Sequence, residues 1–183
     1  MGASLADQGL AIGLGANLPS AAGGPIETLI ALRPELQACL GAAELRWSPL
    51  FRTAPVGGRP DQPDYINAVV VLDQPPEPTA AAAMELLRSL QALESQFGRL
   101  RQERWGPRTL DLDLLWWGTL QLQGSELQLQ GSELQLPHPR WAERAFVLAP
   151  LAALDSSFEL PLQQALAGQS PPLRLAPKAG WLE

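Results

Sequence analysis

The sequence is poor in the residue types on which several common chemistries depend. Its 183 residues include one cysteine, one histidine and one lysine. Cys39 alone cannot form an internal disulfide, and together with His138 it is too small a set for a His/Cys zinc site. Lys178 lies outside any G-x-x-x-x-G-K pattern, so a Walker-type phosphate loop is absent. No G-x-S-x-G motif occurs, which argues against a serine hydrolase.

Signals for membranes, targeting and nucleic acid are also missing. No run of about 18 apolar residues could form a transmembrane helix. Met1 to Leu10 lack the basic start and apolar stretch of a signal peptide, and Ala6 stands where a myristoylation signal needs Ser or Thr. A net charge of −6 argues against a broad nucleic-acid-binding surface. We therefore expect a cytoplasmic protein that binds neither membranes nor nucleic acid, and a monomer, since no coiled-coil seam is present.

The first half of the chain predicts a strand, a helix and two further strands. With 46% hydrophobic and 17% charged residues, the chain should fold, and its length suits one domain. A short apolar run at Leu10 to Leu14 predicts a buried strand. Pro25 can begin a helix that Pro34 should kink or split. Strands are predicted at Glu44 to Thr53 and at the valine-rich Tyr65 to Leu72.

The second half adds a helix and a strand. Thr79 is a plausible N-cap for a helix that ends near Gly98. The strand Leu110 to Trp117 should place alternate side chains on opposite faces. One face is predicted to carry Leu112, Leu114 and Trp116, and the other Asp111, Asp113 and Leu115. The order βαββαβ is that of an α+β, ferredoxin-like fold, in which helices pack on an antiparallel sheet.

A duplicated heptad follows this strand. The sequence LQLQGSE occupies residues 120–126 and again 127–133. Alternating Leu and Gln with Gly-Ser breaks predicts an added β-hairpin at 119–136 that loops away from the fold. A helical stretch is predicted from about Arg140 to Leu154, whereas residues 167–183 form a tail whose pattern predicts no element.

Charged residues cluster immediately before and within the predicted strand. Four arginines occur within ten residues, at positions 99, 101, 104 and 108. Asp111 and Asp113 follow at i and i+2, so both carboxylates point to one face. Mg²⁺ is usually held by one or two carboxylates together with substrate phosphates, and arginine side chains grip phosphate oxygens. The segment therefore indicates phosphoryl transfer, although a solvated loop with paired charges is the simpler alternative for the arginines alone.

Aromatic and amide side chains suggest a second part of the site. Tyr65 and Asn67 share a face at the start of a strand, where Tyr can stack on a flat ring and Asn can bind its edge. Trp105 is unusual in a charged loop and could close over a ligand. His138 and Arg144 are possible phosphate contacts, although a structural His138 is an equal alternative. Phe146 is most simply a core residue by its spacing.

Four ordered motifs resemble 6-hydroxymethyl-7,8-dihydropterin pyrophosphokinases. They are FRTAPVG from Phe51, DQPDYINAV from Asp61, GRLRQERWGPRTLDLDLL from Gly98 and PHPRWAERAFVLAPL from Pro137. With GLGANL at Gly13 to Leu18, the resemblance extends to about Leu166. It implies one domain over 1–183 that transfers diphosphate from ATP to 6-hydroxymethyl-7,8-dihydropterin in folate biosynthesis. The product would pass to dihydropteroate synthase.

The resemblance also implies roles for individual residues. Asp111 and Asp113 would hold two Mg²⁺ ions, and Arg99 and Arg108 would contact phosphates. The remaining ATP contacts would be Gln91, Glu94, Arg101, Arg104, His138 and Arg144. The pterin pocket would comprise Thr53, Val56, Tyr65, Asn67, Trp105 and Phe146. In this assignment Tyr65 and Phe146 sandwich the ring, and Trp105 caps it.

Two other classes of function share some of these features. A ferredoxin-like RNA-binding module has the same element order, but the acidic composition and the missing aromatic RNA-binding motif argue against it. A Mg²⁺-dependent phosphohydrolase could use the same aspartates with water as the acceptor. Formation of AMP only in the presence of a pterin distinguishes the pyrophosphokinase from that hydrolase.

Overall fold

The fold is a mixed α+β structure built on an antiparallel sheet. The computed structural model describes residues 9–41, 44–57, 61–99, 106–123, 128–129 and 132–181. The strands of this sheet are β1 (Leu10–Ala16), β2 (Arg46–Trp47), β3 (Phe51–Thr53), β4 (Tyr65–Leu72), β5 (Asp111–Trp117) and β8 (Leu173–Arg174). They run in the order β5-β1-β4-β3-β8, and β2 pairs with β4 beside β3.

Helices cover both faces of this sheet. They are α1 (Pro25–Leu40), α2 (Ala80–Gln96), α3 (Ala145–Leu154) and α4 (Glu159–Ala165). Alternate residues of β1 serve the two faces, because Leu10 and Ile12 pack in the core beneath α1 and α2, whereas Ala11 packs in the core beneath α3. Within the described ranges, no helix is both long and apolar enough to cross a membrane.

The two long helices are stabilised in different ways. Thr79 caps α2 as predicted, because its hydroxyl accepts a hydrogen bond from the Ala82 N–H at 3.1 Å. Gly98 follows that helix with a left-handed φ of 82°. By contrast, Pro34 does not split α1, which continues to Leu40. Leu32 and Leu36, on either side of the proline, are fully buried, and their packing against the sheet outweighs the lost hydrogen bond.

A β-bulge in β5 contradicts the predicted faces of that strand. Ile12 lies opposite Leu114, but Ala11 lies opposite Trp116, so Leu115 is an extra residue on β5. An extra residue reverses the alternation beyond it. Trp116 therefore joins Leu115 in the core beneath α3, and the prediction that it shares a face with Leu112 and Leu114 was wrong.

The C-terminal third departs further from the predicted pattern. The predicted helix 140–154 is a 3₁₀ turn at Trp141–Glu143 followed by α3, because Arg144 between them has an extended backbone. Residues 128–129 and 132–133 pair as two short antiparallel strands, β6 (Gln128–Leu129) and β7 (Ser132–Glu133). The tail is packed on the sheet edge: β8 pairs with β3, and Trp181 is buried.

Candidate active site

A cavity of about 420 Å³ opens where the ends of β1, β3, β4 and β5 meet the start of α3. Side chains from all five elements line it, so residues distant in the sequence meet at one place. Ten of the sequence-predicted site residues lie in its wall: Thr53, Val56, Tyr65, Asn67, Arg108, Asp111, Asp113, His138, Arg144 and Phe146.

Two aspartates line the charged end of the cavity with Arg108 and Arg144, and Arg99 lies behind them against Asp111. Asp111 and Asp113 lie two residues apart on β5, ahead of the bulge, and both face the cavity. Arg99 and Arg108 each place a guanidinium nitrogen 2.7 Å from a carboxylate oxygen of Asp111. Arg144 reaches Asp113 more loosely, at 3.5 Å. Two close arginines therefore balance the negative charge of Asp111, whereas among the described residues Asp113 has one long contact with a cation.

The titration behaviour of two groups follows from this arrangement. Burial, together with the adjacent charge of Asp111, raises the pKa of Asp113 to about 7. Burial and the positive charge of Arg144 lower the pKa of His138 to about 4. The imidazole is thus neutral at pH 7, and its Nδ1 accepts the Arg140 N–H at 3.2 Å. Because Nδ1 accepts that bond, Nε2 is the ring nitrogen of His138 that can donate a hydrogen bond to a phosphate oxygen.

The other end of the cavity carries flat and amide side chains. Tyr65 and Phe146 both line it, one from β4 and one from α3. The phenol of Tyr65 donates to the Gly106 carbonyl at 3.3 Å. The buried Asn67 amide donates to the Thr53 hydroxyl at 2.7 Å, across the paired strands β3 and β4. This end can hold a planar ring by stacking and can bind its edge through amide and backbone groups.

Two residues that sequence reasoning did not select shape this site. A Cβ on Gly15 would lie 3.0 Å from the Asn67 Oδ1, so a larger residue there would push the Asn67 amide from its present position. Asn17 donates from its side chain to the Pro63 carbonyl at 3.0 Å and accepts the Arg108 N–H at 2.7 Å. Asn17 therefore joins the segments that carry Arg108 and Tyr65. In the sequence, the only indication for these two residues was that they follow the predicted strand Leu10 to Leu14; the residues that they contact are distant in the chain.

The remaining predicted residues lie elsewhere or outside the described ranges. Gln91 and Glu94 on α2 are buried and do not line the cavity; Arg99 contacts it through Asp111. The Gln91 side-chain amide has no hydrogen-bond partner among the described residues. Arg101, Arg104 and Trp105 lie outside those residues.

Glu94 has a supporting position behind the charged end of the cavity. One of its carboxylate oxygens accepts the Leu112 N–H at 2.8 Å and also pairs with Arg99. Only 2% of the residue is exposed. Glu94 thereby ties α2 to β5 beside Asp111 and orients the guanidinium that contacts Asp111.

Neutralising Glu94 should weaken the fold measurably. We expect Glu94→Gln to lower the free energy of unfolding by about 1–3 kcal/mol, because the partly buried Arg99 loses one of its charged partners. Urea denaturation measures the change. Glu85→Gln, exposed on the same helix, is the matched control and should change stability by less than about 0.5 kcal/mol. Equal values for the two variants would contradict the role of Glu94.

The donor set of the cavity suits a hard divalent cation completed by substrate oxygens. Among the residues that the structure describes, no group of three or more His, Cys, Asp and Glu could hold a metal alone. Two neighbouring carboxylates, of which Asp113 is only loosely paired with an arginine, instead fit Mg²⁺. This ion commonly binds one or two carboxylates together with substrate phosphates. Asp111 and Asp113 are the residues that would hold it.

Comparison with known proteins agrees with this combination of features. The family model for 7,8-dihydro-6-hydroxymethylpterin-pyrophosphokinase matches residues 11–156, which include every described residue of the charged cluster. The chain belongs to this family. Within the pyrophosphokinase family, curated relatives are named 2-amino-4-hydroxy-6-hydroxymethyldihydropteridine pyrophosphokinase. The Synechocystis sp. relative is 40% identical over 147 residues, covering 80% of this chain and 66% of its own.

Other members of the pyrophosphokinase family give the same result. The Pseudomonas aeruginosa relative is 40% identical over 136 residues, which cover 70% of this chain and 76% of its own. The Haemophilus influenzae relative is 36% identical over 153 residues, covering 84% and 85%. A crystal structure of a Plasmodium falciparum HPPK-DHPS triple mutant matches with a TM-score of 0.53 at 12% identity. The match covers 87% of this chain and 43% of that chain, and it supports the fold alone.

Proposed function

We propose that the protein transfers the β,γ-diphosphate of ATP to the hydroxymethyl oxygen of 6-hydroxymethyl-7,8-dihydropterin. The products are AMP and dihydropterin-methyl diphosphate, an intermediate of folate biosynthesis and a substrate for dihydropteroate synthase. The observation that carries the proposal is that a ring-binding end and a charged end adjoin within one cavity. A pterin held by its ring at one end would present its hydroxymethyl group toward the aspartates.

The ring-binding end would orient the acceptor. Tyr65 and Phe146 offer faces to the pterin, while Asn67 and backbone groups near Thr53 and Val56 offer polar contacts to its edge. Asn67 is already fixed by its bond to Thr53 and by its close approach to Gly15. Because these groups are positioned before binding, little ordering is required when the ring enters.

The charged end would receive the triphosphate. Arg108 and Arg144 now contact the aspartates, and their forked guanidinium groups can exchange those carboxylates for phosphate oxygens. Two Mg²⁺ ions held at Asp111 and Asp113, when bound, would neutralise phosphate charge and polarise the acceptor hydroxyl. The hydroxyl oxygen forms a bond to the β-phosphorus, the bond from that phosphorus to the α,β-bridging oxygen breaks, and the proton passes to water.

A ferredoxin-like classification belongs to the same proposal. The order β5-β1-β4-β3 within the sheet, with α1 and α2 on one face, supports it. The further helices α3 and α4 and the edge strand β8 would be additions to that core.

Product analysis tests the proposed reaction directly. We expect AMP to form in step with dihydropterin-methyl diphosphate, and only when ATP, Mg²⁺ and the pterin are all present. Chromatography that separates AMP from ADP measures this. Release of ADP and phosphate without a pterin would contradict the proposal and would indicate a hydrolase. Omission of Mg²⁺, with EDTA added, is the control for the metal requirement.

The duplicated heptad should be dispensable for this activity. The paired residues Leu122 and Leu136 exchange two backbone hydrogen bonds at the base of the 119–136 segment, and the His138 N–H bonds to the Leu115 carbonyl at 2.7 Å. These anchors lie outside residues 127–133, so deleting one heptad copy should leave turnover within about twofold of the parent. Steady-state AMP formation measures it. A large loss would mean that the second copy supports the site.

A further inference from the structure

The start of α3 lacks the usual local cap. Arg144 occupies the N-cap position, and its side chain makes no capping hydrogen bond. The first amide groups of a helix have no partner within the helix and need one elsewhere. The Ala145 N–H finds its acceptor 24 residues away, at 3.1 Å, in the side-chain oxygen of Gln169. Gln169 lies beyond residues 11–156, where the family match ends.

Gln169 also bonds on the other side of Arg144. Its side-chain nitrogen donates to the Glu143 carbonyl at 2.6 Å and to the Ala165 carbonyl at 3.3 Å. One amide group therefore holds the carbonyl before Arg144 and the N–H after it, in the pattern by which a neighbouring strand would pair with that residue. Arg144 accordingly has an extended backbone, with φ −103° and ψ 109°.

The residue fixed in this way belongs to the candidate active site. The Arg144 guanidinium lies 3.5 Å from the Asp113 carboxylate and 5.4 Å from the centre of the Phe146 ring. Arg144 thus bridges the charged and ring-binding ends of the cavity. The direction in which its side chain leaves the backbone depends on the two torsions that Gln169 holds.

We infer that Gln169 is a positioning residue for the reaction, which acts by fixing the backbone of Arg144 so that its guanidinium faces Asp113 and the ATP phosphates. This inference rests on the proposed function, because Arg144 matters to turnover only if phosphates bind beside it. Gln169 itself touches neither the reacting atoms nor the aspartates. Its carboxamide is suited to the task because it donates and accepts at once.

The first test compares Gln169→Met with Gln163→Met. Methionine matches the length of glutamine and removes the hydrogen bonds; Gln163 is exposed on α4 and serves as the control. We expect Gln169→Met to lower kcat/KM for ATP by about 10-fold, since small displacements of a positioning group reduce turnover strongly. Hydrogen exchange at the Ala145 amide should accelerate in this variant. The control should match the parent in both measurements, and if Gln169→Met also matches it, the inference is overturned.

A double-mutant cycle with Arg144→Ala separates positioning from general stabilisation. If Gln169 acts through Arg144, Gln169→Met should have almost no further effect on kcat/KM in the Arg144→Ala background. An equal 10-fold loss in both backgrounds would overturn the inference. Should Gln169→Met fail to fold, Gln169→Asn keeps the amide but shortens its reach and allows the same cycle. Failure of the parent to form AMP would refute the proposed function, while the exchange of Ala145 would still decide whether Gln169 holds this segment.

Discussion

Replacing either cavity aspartate by asparagine should abolish most turnover and leave the fold intact. We expect Asp111→Asn and Asp113→Asn each to lower kcat by about 100- to 1,000-fold, because each change removes a negative charge that the bound cation and transferred phosphates require. Asparagine keeps the side-chain shape, so cavity packing should persist. Steady-state AMP formation with ATP, Mg²⁺ and the pterin measures the effect.

Asp113→Asn should be no less stable than the parent, which would show that its loss of turnover is not caused by unfolding. The pKa of Asp113 is raised above its ordinary value in the fold, so ionising it destabilises the native state between about pH 4 and 7. Without metal, the parent should therefore lose stability relative to Asp113→Asn as pH rises through that window. Asp73→Asn, in an exposed pair with Arg46, is the control and should retain full activity. Near-normal turnover in both cavity variants would refute the metal assignment.

Truncating Trp181 should have the opposite effect: the protein should lose much of its stability, and catalysis should change little. The indole is 2% exposed, and its N–H donates to the buried Ser48 carbonyl at 2.9 Å. It also packs edge-on against Trp47, with ring centres 5.3 Å apart. We expect Trp181→Ala to lower the free energy of unfolding by about 3–5 kcal/mol, because it leaves a cavity and an unpaired carbonyl. Urea denaturation measures this.

A graded control separates the two contributions of Trp181. Trp181→Phe keeps an aromatic ring but loses the donor to Ser48, so it should cost about 1–3 kcal/mol. Both variants should retain kcat at temperatures where they are folded, since Trp181 is not among the residues of the cavity wall. A stability equal to the parent in Trp181→Ala would show that the C-terminal segment does not pack on the sheet in solution.

The parts of the fold that the sequence could predict are those determined by short-range patterns. The helix after Thr79 follows from a capping residue and apolar spacing, and the strand Tyr65–Leu72 follows from its β-branched residues. The placement of Asp111 and Asp113 on one face required only the two-residue period ahead of the bulge. These features depend on residues near each other in the chain, and a single sequence contains that information.

The parts that could not be predicted depend on distant partners. Trp116 lies on an unexpected face because of a bulge whose only evidence is the register with β1. The C-terminal tail has no predictive local pattern, because Trp181 packs against Trp47, more than a hundred residues away. In the same way, Asn17 and Gln169 form their main contacts across 91 and 24 residues, so neither could be recognised from its neighbours.

The bulge at Leu115 also determines where the length of this chain can change during evolution. Losing Leu115 would restore strict alternation and leave Trp116 opposite Ala11 and Trp117 opposite Leu10. It would, however, remove a buried leucine from the core beneath α3, together with the carbonyl that accepts the His138 N–H. A few positions later, between the paired Leu122 and Leu136, the chain carries the second copy of the heptad, at 127–133. Insertions and deletions should therefore accumulate at the tip of the 119–136 segment, whereas the spacing from Asp111 to Trp117 is fixed by the fold.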